Sequence, residues 1–297
     1  MNVKRILFSL VILTFLTIST KAQDGYIQQG EFGFTVGAAH YFGDLNTRTG
    51  LNKPKPSLGL FFRKQFGNYV GLRVAGRFAQ LGYDDLLSKN SYQHTRGLEF
   101  NTNIFEFGVQ GDFNFFKYIP NDINYGFTPY MTLGLGVFSF NPYATAEDGT
   151  KVYLNNSTIQ TEGVTYPLMG ICVPLGVGIK YSINQKVNLS FEVTHRFTNS
   201  DHIDDVSGTY LGLYNADGSK NISTGFWERD PASNDYILSL AGQLQDRSIE
   251  RGGANPNNPL GKYAGRQRGW SKQKDQYVIA EIGISFNIGS YRCPTAN

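Results

Sequence analysis

From residue 31 to residue 288 the chain returns to one pattern, in which apolar residues fill every second position and small, polar or charged residues lie between. At 277–288 Val278, Ala280, Ile282, Ile284, Phe286 and Ile288 form one set, and Ile279, Glu281, Gly283, Ser285 and Asn287 the other. A period of two is the mark of a β-strand, whose successive side chains point to opposite faces. The same reading predicts a strand at 31–42, with Phe32, Phe34, Val36 and Ala38 opposite Gly33, Thr35, Gly37 and Ala39. Further strands follow at 57–66, 69–82, about 105–115, 127–140, 170–183 and 186–197, which with 277–288 makes eight. The cleanest is the fourth, with Phe105, Phe107, Val109, Phe113 and Phe115 outward and Glu106, Gly108, Gln110, Asp112 and Asn114 inward. Pro174 falls on an inward position of the sixth strand, where no free edge accommodates it, so a bulge is expected there.

Apolar faces this continuous, on strands long enough to cross a tilted bilayer, need lipid or a second sheet against them. If lipid covers them, the sheet must close, because hydrocarbon tolerates no unpaired backbone groups, and the last strand then pairs with the first. The connections after strands one, three, five and seven are long, and those after two, four and six are shorter. That is the asymmetry of outer-membrane barrels, with short periplasmic turns and long extracellular loops. A lipocalin-like barrel or soluble sandwich has no reason to keep it. The expected fold is therefore all-β, an eight-stranded antiparallel transmembrane β-barrel at 31–289, with one long extracellular loop at 198–275. A short helix is compatible with 233–244 in that loop. Both termini fall on the periplasmic side.

The N-terminus supports export. Lys4 and Arg5 precede an apolar run from Ile6 to Ile18, and Thr20 and Ala22 are placed for cleavage before Gln23. This predicts a signal peptide at 1–22, a periplasmic segment at 23–30 and a periplasmic tail at 290–297. The run is too short for a spanning helix, which takes roughly 20 apolar residues. Lys4, Arg5 and Lys21 account for the whole formal charge of +3, so the exported chain carries balanced charge. Nothing in that balance points to a nucleic-acid partner.

Eight strands make a narrow barrel whose interior is filled by side chains. The inward positions hold Arg63, Arg73, Arg77, Lys180 and Arg196 against Glu106, Asp112, Glu192 and Glu281. Paired, these charges plug the lumen; a gated conduction path is the alternative. Where the seventh strand enters the long loop, His195, Asp201, His202, Asp204 and Asp205 cluster in sequence. Asp readily caps turns by bonding nearby amides, and the same groups could also hold a divalent cation or activate water. No spacing matches a dedicated metal or nucleophile motif, so neither a cofactor nor a catalytic set is assigned. Later in the loop Lys262, Arg266, Arg268, Lys272 and Lys274 surround Tyr263 and Trp270, either as a solvated surface or as one facing lipopolysaccharide phosphate. Cys172 lies near the outer rim and Cys293 beyond the last strand, on opposite sides of the membrane and too far apart to bridge. Cys293 is then either available to a partner or an unpaired thiol on a frayed tail.

Several stretches carry a resemblance. Glu31-Phe32-Gly33, Tyr41-Phe42-Gly43-Asp44-Leu45-Asn46, Thr161-Glu162-Gly163, Pro174-Leu175-Gly176-Val177-Gly178 and His202-Ile203-Asp204-Asp205-Val206-Ser207-Gly208-Thr209-Tyr210 resemble the PorG family of outer-membrane proteins of the type IX secretion system. The resemblance implies a non-enzymatic eight-stranded barrel. It also implies an anchoring role, holding a periplasmic ring of PorK-like lipoprotein and PorN-like subunits to the outer membrane in machinery that exports proteins and can serve gliding motility. The docking surface expected for such a partner comprises Asn68, Asn121 and Asp122 in the short turns and Tyr291, Arg292 and Cys293 in the tail. Two rival readings are an OmpA-like adhesin or narrow porin acting through its outer loops, and a rim hydrolase using His202, Asp204 and Asp205.

Overall fold

The computed structural model describes residues 28–47, 50–120, 122–155, 161, 163 and 165–289. Eight long strands form its wall: β1 (Gln28–Phe42), β2 (Lys55–Phe66), β3 (Val70–Asp84), β4 (Glu99–Asn114), β5 (Phe127–Ser139), β8 (Met169–Ser182), β9 (Val187–Thr198) and β12 (Gln276–Gly289). Two short hairpins lie in the loops, β6 (Tyr143–Thr145) with β7 (Lys151–Tyr153) and β10 (Trp227–Arg229) with β11 (Tyr236–Leu238). The wall runs β3-β2-β1-β12-β9-β8-β5-β4, and β4 pairs back onto β3. Every neighbouring pair is antiparallel, and the first and last strands meet in register from Phe32 opposite Phe286 to Tyr41 opposite Tyr277. The barrel is closed. Among the described residues no helix is long and apolar enough to cross a membrane.

Alternation holds along the wall. Leu133 and Ile282 on the outer face are 53% and 59% exposed, whereas the inward Arg63, Arg73, Glu106 and Glu192 are buried. The strands form because β-branched and aromatic residues suit a pleated face covered on one side, and closure leaves no edge backbone unpaired. Gly67, at φ +73, makes the turn after β2. The Asn184 side chain accepts the amides of Lys186 and Val187 after β8, and the Asp122 side chain accepts those of Asn124 and Tyr125 between β4 and β5. These three short turns sit at one end with the start of β1 and the finish of β12.

The long connections fold into a cap at the other end. Asn90 caps a helix at Ser91–Arg96 by accepting the Tyr92 amide, and Gly97 ends it in the left-handed region at φ 67. Tyr41, Leu45, Leu81, Tyr83, Phe100, Ile203, Val206 and Tyr277 join in one apolar core between the barrel mouth and the loops. A second core, around Leu213, Phe226 and Ala241, lies within the long loop itself. The cap is built structure.

Two local expectations are corrected. Leu133 pairs with Leu175 and Gly136 with Cys172 in one unbroken register, so Pro174 makes no bulge. The pairing only lapses between those two points, because a proline removes one donor without demanding an extra residue. Residues 233–244 are not one helix: β11 takes Tyr236–Leu238, and Ser239 caps a helix confined to Leu240–Gln245. The long connection after β3 contains a 3-10 turn at Asp85–Leu87 and the capped helix.

Candidate functional site

Inside the wall the phase of each strand decides which charges share the lumen, and the side chains then find partners across several strands. Arg63 on β2 lies 2.5 Å from Glu31 on β1 and 2.6 Å from Asp112 on β4. Asp112 also meets Arg73 at 3.4 Å, and Arg73 meets Glu192 on β9 at 2.7 Å. Arg77 stands 3.8 Å from Glu192 and 3.4 Å from Glu106, which receives Arg196 at 3.0 Å. Charges of alternating sign thus form one continuous chain from the short-turn end toward the cap. Lys180 joins it at Asp112, 3.6 Å away, and Glu281 joins at Arg77, 3.2 Å away.

Five cations face five carboxylates in this network, and all are buried. Aromatic hydroxyls take up remaining acceptor capacity: Tyr130 donates to Glu192 at 2.7 Å and Tyr277 to Glu106 at 2.8 Å. Asn188 and Ser285 donate to Glu31 at 2.9 and 2.8 Å. Pairing and hydrogen bonding together are what make buried charge tolerable. The arrangement fills the lumen with fixed salt bridges.

All eight charges predicted for the lumen, Arg73, Arg77, Glu106, Asp112, Lys180, Glu192, Arg196 and Glu281, come together, as does Arg63. The residue missed is Glu31. Its signal was present, since it is in phase with Gly33 and Thr35 on the inward set.

The Asp and His cluster lies in the cap as structural ties. Asp201 accepts from the Ser207 hydroxyl at 2.6 Å. The Tyr41 hydroxyl oxygen lies 2.5 Å from a carboxyl oxygen of Asp204 and 2.7 Å from one of Asp275. Asp205, held at φ 60, accepts from Tyr166 at 2.5 Å and also from Thr161. The His202 ring stacks on Tyr166 with centroids 4.2 Å apart. Burial, then the nearby Lys274 charge, holds His202 below the ordinary imidazole range. Burial and the neighbouring carboxylates push Asp204 well above the usual carboxylate range. Asp275 is pushed up by burial first, against hydrogen bonds from Tyr41 and Ile203. Among the described residues no group of three or more His, Cys, Asp and Glu side chains is placed to hold a metal.

Of the basic loop residues, Arg268 is buried and bonds the carbonyl oxygen of Asp205 at 2.6 Å, so it ties the cap rather than facing solvent. Arg266 bonds the Pro259 carbonyl at 3.2 Å, Lys262 bonds that of Asn257 at 2.7 Å, and Trp270 is exposed. Asn68 and Asp122 occupy turns at the short-turn end, where the Asn68 carbonyl accepts from Tyr118 and Asn114. Asn121, Tyr291, Arg292 and Cys293 lie outside the described residues. Cys172 is a free, buried thiol facing inward beneath the cap.

An eight-stranded closed wall, apolar outside and charge-paired within, defines a small barrel of the outer-membrane type. The chain belongs to the DUF6089 family, a domain of unknown function, whose profile matches residues 4–214. No curated protein matches it. Among solved structures it is similar to Neisserial surface protein A at 8% identity, covering 88% of this chain and 97% of that one, with a TM-score of 0.40. It is also similar to the attachment invasion locus protein Ail of Yersinia pestis, solved with the heparin analogue sucrose octasulfate. That match has 10% identity, 88% and 99% coverage and a TM-score of 0.37. A third similarity, to OprG of Pseudomonas aeruginosa, has 12% identity, 89% and 98% coverage and a TM-score of 0.37.

Proposed function

We propose that this protein is a non-conducting, non-enzymatic barrel of the Gram-negative outer membrane that serves as an anchor. Following its resemblance to PorG, the load it anchors is the periplasmic ring of PorK-like lipoprotein and PorN-like subunits of the type IX secretion machinery. The observation that carries the anchoring reading is the lumen, where a continuous chain of buried salt bridges supports a closed centre. Lipid against the apolar wall would hold the barrel in place, lipopolysaccharide would meet its outer rim, and the short turns and both termini would face the periplasm. The non-enzymatic reading is supported by the place of Asp204 and Asp205 in the cap, where Asp204 contacts the Tyr41 hydroxyl and Asp205 accepts from Thr161 and Tyr166.

The adhesin reading has one observation in its favour, a cap with an apolar core of its own. The two readings separate in a strain lacking the gene. The anchor reading expects loss of type IX export and release of the ring from outer-membrane fractions, both restored by the wild-type gene. In wild-type membranes it also expects a reducible higher band that is lost in a Cys293→Ser variant, if the contact is covalent. Full export with an intact ring, and loss only of surface attachment, would replace the anchor with the adhesin.

A further inference from the structure

Three distant parts of the chain meet at one phenol. Tyr41 is the last residue but one of β1, Asp204 lies in the loop after β9, and Asp275 immediately precedes β12. The Tyr41 hydroxyl oxygen lies 2.5 Å from Asp204 Oδ2 and 2.7 Å from Asp275 Oδ1. A phenol has one proton to donate. It can serve one carboxylate, so the second short contact sets lone pair against lone pair unless that carboxyl carries a proton and donates it to the phenol oxygen.

The other oxygens of the two side chains are already engaged as acceptors. Val206 N–H donates to Asp204 Oδ1 at 2.9 Å, and Ile203 N–H donates to Asp275 Oδ2 at 2.9 Å. The extra proton therefore belongs on an oxygen that faces Tyr41. Among the described residues neither carboxyl has a salt-bridge partner. Asp44 and Asp201 add negative charge from the flanking loops. Asp44 is engaged by the Trp270 amide at 2.8 Å. Of the cations on the surrounding elements, Arg96 pairs with Asp85 at 2.7 Å while its charge also reaches Asp204, and Arg268 pairs with Asp205 at 3.9 Å. Lys274 acts on Asp201 and His202. Gly43 completes the fit, because a Cβ there would stand 2.0 Å from the Tyr41 hydroxyl and 2.2 Å from Asp275 Oδ1.

We propose that Tyr41, Asp204 and Asp275 form a proton-holding latch that fastens the loop cap to the barrel mouth and releases it as pH rises. The sign follows from where the proton sits. Once the cap opens, both carboxyls meet water and ionise near the ordinary value of about 3.9. The closed cap holds one proton more than the open cap from that value up to the raised one. Closure is then fully favoured below the ordinary value and weakens as pH climbs through the window. One proton makes the opening constant rise by up to about tenfold per pH unit.

Amide hydrogen exchange on the full chain in nanodiscs tests this, followed at Ile203 and Val206 from about pH 5 to about pH 9, a range that spans raised buried carboxyls. Rates are divided by the intrinsic exchange rate at each pH, with wall amides as an internal reference. The opening constant of wild type is expected to climb with pH. Asp204→Asn keeps the acceptor for Val206 and offers an N–H to the phenol oxygen, which mimics the protonated carboxyl. Its profile should be flat and protected. Asp275→Asn carries the same expectation toward Ile203, so either variant suffices if the other fails to fold. A flat wild-type profile, or Asn variants that open with pH in step with wild type, would overturn the latch.

Discussion

Asp112→Ala is expected to destabilise the barrel by about 3–5 kcal/mol, the range for removing one partner from a buried ion pair. Asp112 is the branch point of the lumen network, touching Arg63 at 2.6 Å, Arg73 at 3.4 Å and Lys180 at 3.6 Å. Without it three buried cations share only Glu31 and Glu192, and Lys180 loses the one salt-bridge partner described for it. Urea unfolding of the refolded barrel in lipid vesicles reads the effect directly. As a reference, Glu147→Ala at an exposed position of a hairpin turn should stay within about 0.5 kcal/mol. A small effect at Asp112 would mean that water or lumen motion already screens the network, and that the plug is looser than its distances indicate.

The second large effect concerns the opposite face of the same wall. Leu133 points outward on β5 between Gly111 and Leu175 of the flanking strands. Leu133→Arg in a bilayer should cost about 2–4 kcal/mol if that face meets hydrocarbon near its midplane. On a soluble barrel the same change at a half-exposed position would fall within about 0.5 kcal/mol. The two environments predict clearly different results, so the same vesicle titration decides whether lipid covers the wall.

Strand phase was legible in the sequence because each wall position sees one of two sharply different surroundings, and a period of two records which. That is why Phe105, Phe107 and Val109 separated cleanly from Glu106, Gly108 and Gln110. Which lumen charges pair was not legible. Arg63 reaches past β3 to Asp112 on β4, and Arg73 reaches across the lumen to Glu192 on β9, contacts set by side-chain length and barrel curvature rather than by spacing along the chain. Glu31 went unnoticed for a related reason: it begins the first strand, where an alternation has few residues behind it.

The cap was the least readable part. Its ties join residues far apart in sequence, such as Tyr41 with Asp204 and Asp275, or Arg268 with Asp205, and no periodicity marks them. The Asp-rich stretch 201–205 carried a true local signal for turn capping, visible in the Asp204 bond to the Val206 amide and the Asp201 bond to Ser207. Arg268 shows the limit of reading charge from sequence. It stands among other loop cations that suggested a solvated surface, yet it lies buried as a donor to loop carbonyls.

The most direct test of the central claim is single-channel recording on the purified wild-type barrel in planar bilayers, with Asp112→Ala recorded beside it. If the salt-bridge chain from Glu31 to Arg196 closes the lumen, wild type inserts without conductance steps, and steps arise only when the network is broken. Stable conductance through wild type, at a level unchanged by Asp112→Ala, would contradict a plugged anchor and return the barrel to the class of narrow porins.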